Sequence, residues 1–477
     1  MQKVRKEGFQ DYKEKMNFYF YDITFLVIFG AFLSWFLISR RKKVQREGIL
    51  FLYRTKLGLK IIDYISRKHK KFLHSFEYVL IFFGYLLMAT MIFLIGQIIY
   101  LFFKFPDLIK AIKIPPVVPL IPYLPQIFKA DYLPAFYFTY WIIVLAVAAI
   151  SHEFLHGIFA RARGIKIKST GFAFLGPFSG AFVEPDENKV KKLPIKSQIA
   201  FLSAGTFANL VMTIVFFIIL WLFFILFFAP SGVIFNIYTF SIANSSDINL
   251  TKESLFVNFD GGLNLTKVLV GNTTYYVESR YLVNNTGYVI AYEDSPALKA
   301  GLNGIIIGLD GNKINTYTDL VKALALKKPG DEVLIKTSFN NSVNEYNIKL
   351  AGRPDNENKA YLGIATIKTD SSSILSKIRN SALFFKDPNT DYEPKFAENF
   401  IIFIYNLIWW IVLVNFSVAV GNMLPLGIFD GGRVFYLTVF GITKSEKIAK
   451  AAYKFSTYLF ILAFLLLTFL WFVNFPF

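Results

Sequence analysis

The residues best suited to chemistry lie at 152–156, which read His-Glu-Phe-Leu-His and match the pattern H-E-x-x-H. On a helix, residues four apart lie on one face, so His152 and His156 can both reach one metal ion. Glu153 lies one residue further round, where its carboxylate can meet a water on that metal instead of binding the ion. The alternative is a pair of histidines held by hydrogen bonds inside a helix bundle. Ionisable groups are costly in a membrane helix, so we favour a zinc-dependent hydrolase.

A third zinc ligand is expected to be a carboxylate. Catalytic zinc typically takes three protein ligands and leaves one position for water. The chain has no cysteine, and its other two histidines, His69 and His74, lie in a basic segment. Asp430 is the preferred ligand because it follows an apolar run at a depth that matches the two histidines. Glu184 and Asp186 remain rival ligands.

The segment before Asp430 is expected to free that residue from a regular helix. Pro425 and the glycines Gly431 and Gly432 would break the helix and let Asp430 turn toward the metal. An Asp-Gly-Gly sequence alone is a common turn. It becomes evidence for a metal ligand because the H-E-x-x-H motif lies at the same depth in the membrane.

The elements that must position these residues are membrane helices. Hydrophobic residues make up 55% of the 477 residues, and mean hydropathy is +0.46. Apolar runs of about twenty residues recur, each long enough to cross a hydrocarbon core of about 30 Å. We predict a polytopic α-helical membrane protein with six spans: Phe18–Ile38, Tyr78–Phe103, Phe136–Ala160, Gln198–Phe228, Phe400–Leu424 and Ser456–Phe475.

Charge predicts how the chain crosses the membrane. The net charge of +18 could suggest a nucleic-acid partner, but we expect none, because basic residues gather in the cytoplasmic loops of membrane proteins. Residues 40–71, 161–196 and 433–454 are rich in Lys and Arg. This pattern places both termini outside and the H-E-x-x-H near the cytoplasmic side. The first apolar run is interpreted as an anchor and not as a signal peptide.

Two further segments carry alternatives. Residues 171–185 alternate aromatic and small residues around Gly176 and Pro177, which suggests a β-hairpin dipping into the membrane, the alternative being a hydrophobic loop. Gly205 and Asn209 lie one helical turn apart at the start of the fourth span. Function and helix packing are equally good explanations of that pair.

The chain is expected to form four regions. Residues 1–134 contain the first two spans and an outer Pro-rich loop, and residues 135–229 form a catalytic membrane core. Residues 230–395 are polar, with strand-like alternation, and form an extracytoplasmic insert large enough for its own core. Residues 396–477 contain the last two spans and Asp430.

Over roughly residues 136–440, the chain resembles the site-two protease family of intramembrane metalloproteases. The matching segments are the H-E-x-x-H motif, the Gly205 and Asn209 pair, residues 422–425 (Asn-Met-Leu-Pro) leading to residues 430–432, and the hairpin that ends at residues 181–185. Within the insert, residues 294–297, 300–302, 309–312 and 329–331 resemble a PDZ domain of the bacterial protease type. The resemblance therefore implies an inserted α+β PDZ-like domain on the outer face.

The resemblance also implies an activity. Zn²⁺ held by His152, His156 and Asp430 would activate water, Glu153 would act as the general base, and a transmembrane segment of a single-span substrate would be cut. Asn209 and Asn422 would bind substrate or stabilise the oxyanion. The substrate would unwind and pair with the hairpin. The PDZ-like domain would either bind a newly cut C-terminus or exclude bulky substrates.

Two other classes of function stay open. A metal transporter could use the same ligands, but it would need further ionisable residues along the spans, which are nearly free of them. A catalytically silent membrane adaptor could bind peptides through the PDZ-like domain, although the intact Glu153 and ligand set argue against it. An assay for chelator-sensitive cleavage separates all three.

Overall fold

The computed structural model of the protein describes residues 2–48, 50–104, 120–128, 133–175, 178–235, 237–257, 262–271, 273–279, 282, 288–339, 342–366 and 384–474. The chain forms two compact units. The membrane unit consists of Tyr12–Leu222 and Ile402–Phe477, and the insert unit consists of Met1–Asp11 and Phe223–Ile401. Residues 115–119 of the predicted Pro-rich loop (residues 115–125) and the hairpin tip at Gly176 and Pro177 lie outside the described residues.

Apolar helices dominate the membrane unit. Within the described parts of both units, the α-helices are α1 (Gln2–Ser39), α2 (Leu59–Lys68), α3 (Lys70–Lys104), α4 (Leu124–Ile127), α5 (Phe138–Ala162), α6 (Glu187–Val190), α7 (Ile195–Phe227), α8 (Pro296–Lys299), α9 (Tyr317–Ala325), α10 (Glu398–Gly421), α11 (Asp430–Thr443) and α12 (Glu446–Asn474).

Six of the described helices are long and apolar enough to cross a membrane, which confirms the predicted number of spans. They are Phe18–Ser39, Lys70–Lys104, Phe138–Ala162, Ile195–Phe227, Glu398–Gly421 and Glu446–Val473. Several continue beyond the predicted limits, because hydropathy marks the apolar part of a helix and not its polar ends. The protein is therefore a multi-pass helical membrane protein.

A four-stranded antiparallel sheet lies in the membrane unit, in the order β1-β2-β3-β4. Its strands are β1 (Val44–Glu47), β2 (Leu50–Thr55), β3 (Ile167–Leu175) and β4 (Phe178–Pro185). Strands β3 and β4 form a hairpin within the segment where one was predicted, so the alternative of a hydrophobic loop is wrong. The position of this hairpin in the membrane stays a prediction. The basic segment 40–71 between the first two spans contains β1, β2 and α2.

The helix that carries the H-E-x-x-H motif, α5, is fixed at both ends by carboxylates from other helices. At its beginning, Asp22 of α1 accepts hydrogen bonds from the backbone N–H groups of Phe138 (2.8 Å) and Thr139 (2.9 Å). Asp22 is only 2% exposed, and it also accepts bonds from the hydroxyls of Tyr123 and Thr139. It thus replaces the missing side-chain cap, since Tyr137 at the N-cap provides none.

Two arginines hold the last turn of α5 and the residue after it. Arg161 makes a two-pronged ion pair with Asp63 of α2. Arg163 donates two bonds of 2.5 Å to Glu77 of α3, which is 1% exposed. Between the two ends, Gly157 lets α2 approach, since a Cβ there would lie 2.9 Å from Cδ1 of Ile62. The position of α5 is therefore set by its neighbours along its length.

The insert unit contains a mainly β structure around its own apolar core. A six-stranded sheet has the order β15-β14-β12-β5-β19, with β13 paired to β12, and a five-stranded sheet has the order β7-β11-β10-β9-β8. Helices α8 and α9 contribute buried leucines to the core. The strands are β5 (Phe228–Val233), β6 (Ile237–Tyr238), β7 (Phe240–Asn244), β8 (Ile248–Val257), β9 (Leu263–Val270), β10 (Thr273–Glu278), β11 (Tyr288–Glu293), β12 (Ile305–Leu309), β13 (Asn312–Lys313), β14 (Glu332–Phe339), β15 (Ser342–Lys349), β16 (Ala351–Arg353), β17 (Asn356–Tyr361), β18 (Ile364–Ala365) and β19 (Thr390–Pro394).

Candidate metal centre

Three side chains of the membrane unit converge on one point. The Nε2 atoms of His152 and His156 are 3.1 Å apart, and Oδ2 of Asp430 lies 3.3 Å from the first and 3.5 Å from the second. Both histidines are 8% exposed. Among the described residues, these three form the group of histidine and carboxylate ligands that could hold a metal ion.

The spacing of these atoms fits zinc. Zinc bonds to histidine nitrogen and carboxylate oxygen are about 2.0–2.2 Å long, and tetrahedral geometry then places neighbouring ligand atoms about 3.3 Å apart. The three observed separations lie close to that value. Two neutral imidazoles and one carboxylate are also a donor set that zinc accepts in catalytic sites, with a fourth position left for water.

Helix α7 lies against both imidazoles through residues spaced one turn apart. The carbonyl of Phe201 lies 2.8 Å from Nδ1 of His156. The side-chain amide of Asn209 lies 3.4 Å from Nδ1 of His152. Between them, a Cβ on Gly205 would lie 2.5 Å from Nε2 of His152 and would also meet Nε2 of His156. Glycine at 205 is therefore required by the ligand nitrogens themselves, beyond ordinary helix packing.

Glu153 lies beside the sheet. Its Oε2 atom accepts a hydrogen bond of 2.9 Å from the backbone N–H of Val183 in β4. The other carboxylate oxygen makes no hydrogen bond with any described residue. Glu153 thus follows His152 directly on α5 and lies outside the group of candidate ligands.

Asp430 is the first residue of α11, after the irregular segment that follows α10. The prediction that Gly431 and Gly432 break a helix is wrong, because both lie in the first turn of α11 and are buried. A Cβ on Gly431 would collide with the carbonyl of Met423, so glycine allows a close approach of two backbone segments. The N–H of Gly431 donates to the carbonyl of Asn422 at 2.7 Å, which fixes the turn that presents Asp430.

The structure separates the rival ligands from the group. Glu184 accepts hydrogen bonds from Ser169 (2.6 Å) and Arg54 (3.0 Å), and these bonds hold its pKa below the ordinary range. Asp186 is the N-cap residue of the short helix α6 and is not part of the candidate ligand group. Nε2 of His74 contacts the carbonyl of Ala162 at 3.1 Å.

The two asparagines differ in their settings. Asn209 is fully buried, and besides its contact with His152 it accepts a bond of 3.0 Å from the hydroxyl of Ser151. The Asn422 side chain is half-buried, and its backbone carbonyl accepts the bond from the Gly431 N–H.

Several residues of the site were missed by reasoning from the sequence. The Phe201 carbonyl gives no sequence signal, since any residue would supply it. Ser151 precedes His152 directly, and Asp22 is an ionisable residue inside an apolar run, a pattern that indicates a specific partner.

Comparisons with known proteins agree with this geometry. The sequence model of peptidase family M50 matches residues 140–467, which include all three candidate ligands. The chain is also similar to an uncharacterized protein, MJ0971, of Methanocaldococcus jannaschii, with 26% identity over 296 residues. That alignment covers 62% of this chain and 55% of the relative, so the chain spans about half the length of that protein. On the family match, which covers more than half of its length, the chain belongs to peptidase family M50, the site-two protease family of metalloproteases.

Proposed function

We propose that the protein is an intramembrane zinc endopeptidase that hydrolyses peptide bonds in the transmembrane segments of other membrane proteins. The observation that carries the proposal is the convergence of His152, His156 and Asp430 at tetrahedral spacing beside Glu153. Membership of family M50 supports the same chemistry.

Each residue has a role in the proposed reaction. His152, His156 and Asp430 would hold the zinc, which when bound supplies a water acidic enough to attack near neutral pH and polarises the scissile carbonyl. Oε1 of Glu153 would take the proton of the attacking water and pass it to the leaving amine. The Val183 N–H keeps Oε2 turned toward β4, so the carboxylate has one fixed orientation.

The edge of the sheet offers a place for the substrate strand. Strand β3 is paired on both sides, whereas β4 ends the sheet next to α5. Backbone groups of alternate residues point to the same side of a strand, so Ala181 faces the same side as Val183. We propose that an unwound segment of a single-span substrate pairs along this edge, which satisfies its backbone in the lipid bilayer and brings a carbonyl past Glu153.

The proposed orientation rests on charge. With the basic segments 40–71, 161–196 and 433–454 in the cytoplasm, the metal centre lies nearer the cytoplasmic side. The insert then lies on the extracytoplasmic side of the cell membrane. Protease protection of a tag placed in the insert, compared with a tag placed at residue 444, tests this arrangement.

The insert is proposed to be a PDZ-like domain that binds peptide ends. It contains a cavity of about 770 Å³ between α9 and residues 361–366, whose walls combine apolar side chains with the cations of Lys327, Arg353 and Lys359 and the carboxylates of Glu293 and Asp355. Arg353 is paired with Asp355 at 2.8 Å. We propose that an apolar peptide end binds along the apolar walls, with its carboxylate at Lys359. Val321→Glu in the cavity wall should weaken binding of a fluorescent peptide with a free C-terminus, whereas Leu326→Glu, which lies outside the cavity and is 86% exposed, should not. An amidated peptide that bound equally well would contradict the proposal.

The decisive test of the chemistry is Glu153→Gln in purified protein. We expect cleavage of a model membrane peptide to fall by at least about 100-fold, while zinc content stays at one ion per chain. Glu187→Gln makes the same change at an exposed glutamate of α6 and is the matched control. Wild-type cleavage by the Glu153→Gln protein would refute the general-base role.

The third ligand is tested by metal content. Asp430→Ala should lower the zinc content clearly, and Asp186→Asn should leave it unchanged. Unchanged stoichiometry in Asp430→Ala would transfer the ligand role to another group. Cleavage that is inhibited by a chelator and restored by zinc also separates the protease from a silent adaptor or a metal transporter.

A further inference from the structure

We propose that Asn209 is a positioning residue for the metal centre: its side-chain oxygen holds the Nδ1–H of His152 and thereby sets how tightly the site binds zinc. The inference rests on the proposed zinc site. It assigns to Asn209 a role different from substrate binding or oxyanion stabilisation.

The first argument is the identity of the nitrogen that faces the site. His152 and His156 both direct Nε2 toward Asp430. An imidazole that binds metal through Nε2 carries its proton on Nδ1, and that N–H needs an acceptor when it is buried. For His156 the acceptor is the Phe201 carbonyl, 2.8 Å away. For His152, the group within reach of Nδ1 is the Asn209 side chain, 3.4 Å away.

The second argument is that the network around Asn209 can satisfy this demand. In the structure, Nδ2 of Asn209 faces His152 and Oδ1 accepts from the hydroxyl of Ser151 at 3.0 Å. Rotation of the amide by half a turn presents Oδ1 to the His152 N–H and Nδ2 to Ser151. A hydroxyl can donate and accept, and that of Ser151 also reaches the carbonyl of Ala148 at 3.2 Å. Every polar group therefore keeps a partner in the zinc-bound arrangement.

The third argument is the register of the two helices. Phe201, Gly205 and Asn209 follow one another at intervals of four residues along one face of α7, and His152 and His156 are four apart on α5. On this face of α7, the Phe201 carbonyl contacts His156 and the Asn209 side chain contacts His152. Gly205 lies between them and packs against the Nε2 atoms of both histidines. Both imidazoles are thus oriented by a single helix. Among the described residues of α7, Asn209 supplies the side-chain polar group that contacts an imidazole, since the Phe201 contact is made by a backbone carbonyl.

The test is the zinc dissociation constant of the intact protein in detergent, measured by competition with a chelator. Asn209→Leu keeps the same number of side-chain heavy atoms and the same branching but has no acceptor, and we expect its zinc affinity to fall by about 10- to 100-fold. Asn209→Asp keeps an oxygen toward His152 and should remain within a few-fold of wild type. Asn415→Leu is the matched control, because Asn415 is fully buried in α10 and bonds only to the carbonyl of Ile411 among the described residues.

A second measurement excludes a simple folding defect. The thermal midpoint of each variant without metal should equal that of the wild type, and the visible absorption of the Co²⁺-loaded protein should change in Asn209→Leu but not in Asn415→Leu. Wild-type zinc affinity in Asn209→Leu combined with slow cleavage would overturn the proposal in favour of an oxyanion role. A wild-type protein that binds no zinc would instead refute the proposed function itself.

Discussion

Replacement of Gly205 by alanine tests the packing of α7 on the ligand nitrogens. The new Cβ would lie 2.5 Å from Nε2 of His152 and would also meet Nε2 of His156. Ordinary contact begins near 3.4 Å, so an outward movement of about 0.9 Å is needed to relieve the clash with His152. Either α7 or an imidazole has to move, because the close atoms are ring atoms with no flexible end.

The size of that movement predicts the effect on the metal. Ligand distances in a zinc site hold to within about 0.2 Å, so a displacement of about 0.9 Å removes at least one good ligand. We expect zinc affinity to fall by at least about 100-fold, which corresponds to about 2.7 kcal/mol. Cleavage should fall at least as much, since reacting groups misplaced by about 1 Å lose on the order of 100-fold in rate.

The assay is zinc content per chain after equilibration with a graded series of chelator concentrations. Gly96→Ala is the matched control, because it adds the same methyl group to membrane helix α3 at a position with no heavy atom within 4 Å. A Gly205→Ala protein that retains zinc as tightly as Gly96→Ala would refute the described contact between α7 and the two imidazoles.

Three further predictions follow from contacts away from the metal. Asp22→Ala leaves the N–H groups of Phe138 and Thr139 unpaired, at a cost of about 1–3 kcal/mol each, so the thermal midpoint should fall clearly and that of Asp22→Asn should fall less. Arg163→Met leaves Glu77 buried without its two guanidinium bonds and should destabilise the protein more than the double substitution Arg163→Met with Glu77→Leu, by melting in detergent. In the insert, the Lys327 ammonium and the Leu334 N–H hold the pKa of Asp310 below its ordinary value. This carboxylate therefore stabilises the fold above its unfolded pKa of about 3.9, and it loses that contribution as pH falls through the lower folded pKa. Amide hydrogen exchange in β14 of the intact protein, corrected for intrinsic rates, should accelerate below about pH 4. The acceleration should be smaller in Asp310→Asn.

The spans and the candidate ligands could be predicted from the sequence because they depend on local pattern. A long apolar run is typical of a membrane-spanning helix. His152 and His156 lie on one face of any helix that contains them both. Asp430 could be chosen because two apolar runs that end on the same side of a membrane place their last residues at similar depth.

The remaining features depend on contacts between distant segments. Strand β2 pairs with β3, more than a hundred residues later, and no local pattern in the basic segment 40–71 indicates that pairing. At Gly431 and Gly432, a broken helix and a close backbone approach both call for the absence of Cβ, so the sequence cannot distinguish them. For Gly205, the partner that excludes a side chain is the imidazole pair of another helix, which spacing alone does not reveal.

The bond between Asp22 and the beginning of α5 has a consequence for biosynthesis. Asp22 is made 116 residues before its partner Phe138, so its carboxylate enters the membrane region long before the N–H groups that stabilise it exist. During translation Asp22 therefore lacks these partners, and it can form its final hydrogen bonds only when α5 is inserted. Although α1 lies outside residues 140–467 that match the family, it supplies the cap of the helix that carries the two candidate histidine ligands.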